Sequence, residues 1–293
     1  MDASFKNILD NFKQQNTLIK LIVINVVVFL LLTLAKVIGV LFELPIPSLL
    51  EYIGVSSSPA IVVRRVWTLL TYMFVHYDFL HVLMNMLMLY WFGSIFLKYF
   101  TAKNMVALYI LGGLAGAVFY ILVFNTIPYF VKQGDLYMIG ASASVMAIIF
   151  AAAFYNKNLE INFFFVFRLK IIYIAWALFI FDIIALGNGS NLGGHIAHIG
   201  GAVLGYIYAV RFLKGKDITR GLNRVIDKIA NMFKPKPKMR VTFKNEREAD
   251  YDYNERKHND AEEIDRILDK IKQSGYASLN EKEKKRLFDA SKK

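Results

Sequence analysis

Apolar residues along this chain gather into long blocks rather than short alternations. A helix needs about 20 apolar residues to cross the hydrocarbon core of a bilayer. Six stretches approach or reach that length, at residues 17–42, 79–100, 104–125, 137–155, 168–187 and 192–212. After residue 212 the pattern changes to charge-rich helical periodicity. The pattern predicts an all-α polytopic membrane protein, a six-transmembrane-helix bundle with a soluble helical tail. Three regions follow: an N-terminal segment (1–16), a six-span membrane domain (17–212) and a basic tail (213–293).

Charge sharpens this division. Of 35 lysines and arginines, 12 precede residue 211 and 23 follow from Arg211 onward. Positive residues concentrate in cytoplasmic loops. With both termini inside, Lys98, Lys103, Lys157, Arg168, Lys170 and the basic tail lie inside, and only Arg64, Arg65 and Lys132 fall in outer loops. The net charge of +12 lies mostly in the tail and suits an anionic leaflet, so nucleic acid is not the expected partner. The absence of cysteine excludes disulfides, thiolate nucleophiles and cysteine-ligated zinc. The long first outer loop, about 43–78, is apolar but broken by Pro47, Pro59 and two arginines, which predicts interfacial helices.

In this topology spans two, four and six enter from the outer side, each with polar groups in its first turns. "HVLMNM" places His81 and Asn85 four apart, on one helix face. That pair fits an interhelical hydrogen bond or two donors aimed at a developing oxyanion, where one donor is worth about 2.7–4 kcal/mol. "GASAS" sets Ser142 behind Gly140 and Ala141, which leave its backbone approachable, while Ser144 points to another side and reads as packing. "GGHIAHIGGAVLG" puts Gly194, Gly201 and Gly205 on one stripe with His198, so a neighbouring helix can approach that imidazole. An imidazole near a hydroxyl can activate it as a nucleophile. His195 reads as a hydrogen-bonding interfacial residue. Asp182, the one acid well inside a span, has no spacing that ties it to His198. A histidine-lined metal site is the alternative chemistry, but no H-E-x-x-H occurs and no metal ligand or cofactor is assigned.

Taken together, "HYDFLHVLMNMLMLYWFG", "GASA" and "AHIGG", in this order and topology, resemble the rhomboid intramembrane serine proteases over about residues 17–212. The resemblance implies Ser142 as nucleophile and His198 as general base, a dyad that requires no aspartate. It implies that Asn85 and His81, with backbone N–H groups around Gly140, Ala141 and the serine, stabilise the oxyanion. It makes His76 a structural residue at the mouth of the site and Gly201 and Gly205 close-packing residues beside it. Implied partners are single-span transmembrane proteins and the lipid bilayer; the implied location is a bacterial inner membrane, with the site opening outward. Three positions depart from the family pattern. Ala143 replaces the glycine after the serine, Met146 replaces an aromatic residue, and a Trp-Arg pair in the first loop is missing. A catalytically silent relative that binds membrane helices is the second reading.

In the tail, Leu222, Val225, Ile226, Ile229 and Phe233 recur at helical spacing among basic residues, an amphipathic helix for the cytoplasmic membrane surface. "KPKPKMR" reads as an extended linker. A helix through Ile264, Ile267, Leu268 and Ile271, ended near Gly275, and a second one capped by Ser278 with Glu281 complete it. The tail's expected contacts are anionic lipid or an unknown partner.

Overall fold

The computed structural model describes residues 16–43, 49–163, 167–189, 191–232 and 246–290. The chain divides into two compact units, 1–233 and 234–293. In the first, α1 spans Thr17–Leu41, followed in the first loop by the short helices α2 (Leu49–Ile53), α3 (Pro59–Arg64) and α4 (Thr68–Thr71) and a 3-10 turn at Tyr72–Phe74. Then come α5 (Phe79–Phe96), α6 (Ala102–Thr126), the single turn α7 (Pro128–Val131), α8 (Ser142–Tyr155), α9 (Ile171–Leu186), α10 (Leu192–Leu213) and α11 (Arg220–Met232).

Four of these helices, α1, α5, α6 and α10, are long and apolar enough to cross a membrane; α8 and α9 are apolar but shorter, at 14 and 16 residues. The expected starts of spans four and five were therefore too early. Residues 137–138 form strand β2 (Tyr137–Met138), antiparallel to β1 (Val55–Ser56), with Val55 opposite Met138. Pairing to the first loop removes those backbone groups from a helix. Likewise β3 (Glu160–Phe163) and β4 (Phe167–Lys170) form a hairpin that delays α9 to Ile171. Non-helical backbone at membrane depth is tolerated where protein surrounds it. That condition is met around α8, since every residue from Ala143 to Phe154 is buried.

The glycines explain how the neighbours close on α8. A Cβ added to Gly201 or Gly205 of α10 would lie 2.1 Å from the Ala143 carbonyl oxygen or 2.3 Å from that of Ala147. A Cβ on Gly112 or Gly116 of α6 would lie 2.5 Å from the methyl of Ala147 or Ala143. Small residues thus set backbone-to-backbone contact, as membrane helices use them. Away from this centre, α1 exposes Leu30, Leu31 and Leu34, a surface suited to lipid. Its buried Asn25 donates to the Tyr109 hydroxyl (3.1 Å), which donates to the Met73 carbonyl (2.8 Å). This fastens the first loop to the bundle.

At the other end of the bundle, α11 packs on α6, within the first compact unit. Asn104 donates to Tyr208 and Asp217 (3.0 Å each) and to Thr219 (3.3 Å), and Lys103 pairs with Asp227 at 2.7 Å. Val225, Ile229 and Met232 remain exposed on one face. Phe233, the linker "KPKPKMR" and residues 1–15 lie outside the described residues.

The second unit holds α12 (Glu246–Ser274) and α13 (Glu281–Ala290), with Gly275 at φ +79° ending the first. Its capping box is Asn280 with Glu283, not Ser278 with Glu281. The Asn280 side chain accepts from the Glu283 N–H (2.9 Å) and Glu283 accepts from the Asn280 N–H (2.8 Å). Ser278 instead donates to the Gly275 carbonyl within a tighter turn.

Candidate active site

Ser142 opens α8, and its backbone N–H belongs to the first turn, whose donors have no intrahelical acceptors and sit at the positive end of the helix dipole. The preceding residue but one is Gly140, at φ +122°, where a side chain is strained. A Cβ there would also meet the His81 ring at 2.8 Å and approach Ser142 Oγ at 3.7 Å. The glycine therefore lets strand β2 turn into α8 directly against His81.

His81, Asn85, Ser142, Asp182, His195 and His198 line one cavity of 260 Å³, between α5, α8, α9 and α10. Met146 forms part of its apolar wall. Ser144 is fully buried elsewhere, beside Gly113 of α6, and its hydroxyl has no hydrogen-bond partner among the described residues. The two serines of "GASAS" thus face different surroundings, one a polar cavity and one a helix contact.

Two residues assigned to the oxyanion site are differently engaged. The Gly140 N–H donates to the Tyr72 carbonyl (2.9 Å) and the Ala141 N–H to His76 Nε2 (3.4 Å). These donors hold the loop that carries the serine and are not free to meet an oxyanion. The donors left facing the cavity are the Ser142 region of the first helical turn, Asn85 and His81. Asn85 Nδ2 lies 3.2 Å from His76 Nε2, so one amide hydrogen is held there and the other remains available.

Asp182 was underestimated from the sequence. Its buried Oδ1 accepts from Nδ1 of both His195 and His198, each at 2.8 Å. Spacing within one helix cannot reveal a contact between α9 and α10. The usable signal was chemical: an acid in a span needs a partner, and His195 and His198 lie near the start of the next helix. This trio is also the one His/Asp/Glu group among the described residues that could hold a metal ion, with ligand atoms within 4.8 Å of one another. A tetrahedral ion bound at about 2.0–2.1 Å would set its ligands roughly 3.3 Å apart. The 2.8 Å separations match hydrogen bonds instead.

A family model for the rhomboid domain matches residues 63–215, more than half of the chain. The chain belongs to the rhomboid family. RHOMBOID-like protein 12, mitochondrial, from Arabidopsis thaliana is 30% identical over 162 residues, which cover 52% of this chain and 48% of that protein. The chain thus spans about half the length of this curated relative. Residues 247–293 match a separate family of unknown function. Rhomboids include serine proteases, and His81, His195 and His198 of this one line the cavity.

Geometry explains how this rhomboid accommodates alanine after the serine. The Ala143 methyl is buried against Gly116, in the contact of α6, α8 and α10, and does not line the cavity. His76, in the loop before α5, is fully buried and accepts at Nε2. Burial, aided by neighbouring His81, pushes its pKa down to about 4. An unfolded chain takes up this proton near pH 6.5, the folded one only near 4. Acidification from 6.5 to 4 therefore favours unfolding, by up to about 1.4 kcal/mol per pH unit from this group. The melting temperature in detergent should fall across that interval, and His76→Gln should flatten the fall. An unchanged slope in the variant would remove His76 as its source.

Proposed function

We propose that this rhomboid is an intramembrane serine endopeptidase that cleaves transmembrane segments of single-span proteins. The observation that carries the reading is the cavity that Ser142 and His198 share with His81 and Asn85 of α5. His198 Nε2 takes the proton of Ser142 Oγ as that oxygen attacks the scissile carbonyl carbon. Asn85, His81 and the N–H of Ser142 stabilise the oxyanion. The carbonyl then re-forms, the C–N bond breaks, and Nε2 gives its proton to the leaving amine. Water, deprotonated by the same nitrogen, hydrolyses the acyl-serine and restores the hydroxyl.

A helical substrate carbonyl is hydrogen-bonded and shielded, so the substrate must unwind at the cut. Glycine or proline nearby lowers the cost of unwinding. The charge distribution supports cytoplasmic termini and an outward-facing site; the bacterial inner membrane rests on the family resemblance alone. Exposed Val225, Ile229 and Met232 beside the basic residues of α11 support contact with an anionic leaflet.

The test is covalent capture. A fluorophosphonate should add to Ser142 in the folded protein in detergent, located by peptide mass spectrometry, and should not add after heat denaturation. Modification at Ser144 or nowhere, on a folded sample, would contradict the assignment and favour a helix-binding rhomboid without protease activity.

A further inference from the structure

We infer that Asp182 is a positioning residue for His198, so that this chain works with a carboxylate–imidazole–serine relay where its resemblance implies only a dyad. The inference rests on the protease reading and deepens it. Asp182 is the only charged residue in α9, and it is 3% exposed. A carboxylate buried at membrane depth is costly unless donors meet it. Here two imidazole N–H groups converge on one oxygen, from residues three apart on α10.

The consequence for His198 is a fixed tautomer. With the proton on Nδ1 held by Asp182, the lone pair lies on Nε2, the nitrogen that must receive the serine proton. When His198 becomes imidazolium, its bond to Asp182 becomes charge-assisted and therefore stronger in the transition state than before it. His195 holds the same oxygen through its Nδ1, at 2.8 Å. It keeps the carboxylate aimed at α10, and its own Nε2 has no step in the reaction.

The test is a double-mutant cycle in the full chain, read as the rate of Ser142 phosphonylation by a fluorophosphonate and as kcat and KM on a model transmembrane substrate. Asp182→Asn keeps the shape but can present an N–H to Nδ1, favouring the wrong tautomer. It should lower kcat and the phosphonylation rate by about 10²–10⁴-fold, with KM changed less than about threefold. Asp182→Glu should recover part of the loss. Because Asp182 acts through His198, the Asp182→Asn/His198→Ala double variant should react no more slowly than His198→Ala alone.

Multiplying losses in the double variant, or an Asp182→Asn enzyme within threefold of wild type, would overturn the inference while leaving the serine reading intact. Failure of the wild type to be phosphonylated would instead remove the protease reading on which it rests. One equivalent of zinc in the wild type, lost in Asp182→Asn and required for activity, would overturn it in favour of a metal centre.

Discussion

Gly201→Ala is expected to be among the most destabilising single-methyl additions in the membrane unit. The new Cβ would lie 2.1 Å from the Ala143 carbonyl oxygen, a backbone atom that cannot rotate away. Either α10 moves away from α8 or the carbonyl leaves its helical position. Overpacking of this kind costs about 1–3 kcal/mol, and a rigid backbone neighbour puts Gly201 at the upper end. The damage reaches function as well, because α8 carries Ser142 and α10 carries His198. Gly221→Ala is the control: Gly221 lies in α11, and a Cβ there meets nothing within 4 Å. Alanine is the better helix former by about 0.8–1.0 kcal/mol, so Gly221→Ala should leave the melting temperature unchanged or raise it. Equal melting temperatures for Gly201→Ala and wild type would show that α8 and α10 are not in backbone contact.

His198→Ala is expected to have the largest effect on rate after loss of the serine itself. Its Nδ1 is held by a carboxylate and its Nε2 is left to take a proton; His195 shares that carboxylate, but His198 is the position that the resemblance implies as the base. General-base catalysis contributes about 10²–10⁴-fold, so cleavage of a model substrate should fall at least that far. The fold should survive, since His198 is only partly buried. The check is a kinetic comparison of wild type and variant at matched folded fraction, judged from thermal melts. A variant within tenfold of wild type would assign the base elsewhere.

The sequence showed the bundle because lipid demands continuous apolar length, and 1, 2, 3 and 6 among the spans have it. The starts of the fourth and fifth spans were placed too early because Met138, Phe167 and Leu169 are apolar and Tyr137 is amphipathic, a composition that also fits the end of a membrane helix. What makes them strands is pairing with Val55–Ser56 and Glu160–Phe163, a tertiary fact. Gly140 carried a local signal for the break, since only its φ of +122° lets the chain turn there. The small-residue stripe at Gly201 and Gly205 was legible because spacing on one helix is set by its period.

The candidate site was legible in part for the same reason. His81 with Asn85, and His198 with its glycines, are relations within single helices. Asp182 with His198 is a relation between α9 and α10, and no periodicity encodes it. The engaged N–H groups of Gly140 and Ala141 were equally hidden, because their acceptors, Tyr72 and His76, lie more than sixty residues earlier. The tail's Asn280–Glu283 box was available to reading but was displaced by the Ser278–Glu281 pair, which has the same spacing.

The most direct measurement is cleavage of a model transmembrane substrate by purified wild type, Ser142→Ala and Ser144→Ala, each with and without chelator. Ser144 is a buried hydroxyl with no partner among the described residues, so its loss should leave folding and cleavage near wild type. The account predicts cleavage by wild type and Ser144→Ala, none by Ser142→Ala, and no effect of chelator. Undiminished cleavage by Ser142→Ala would contradict it.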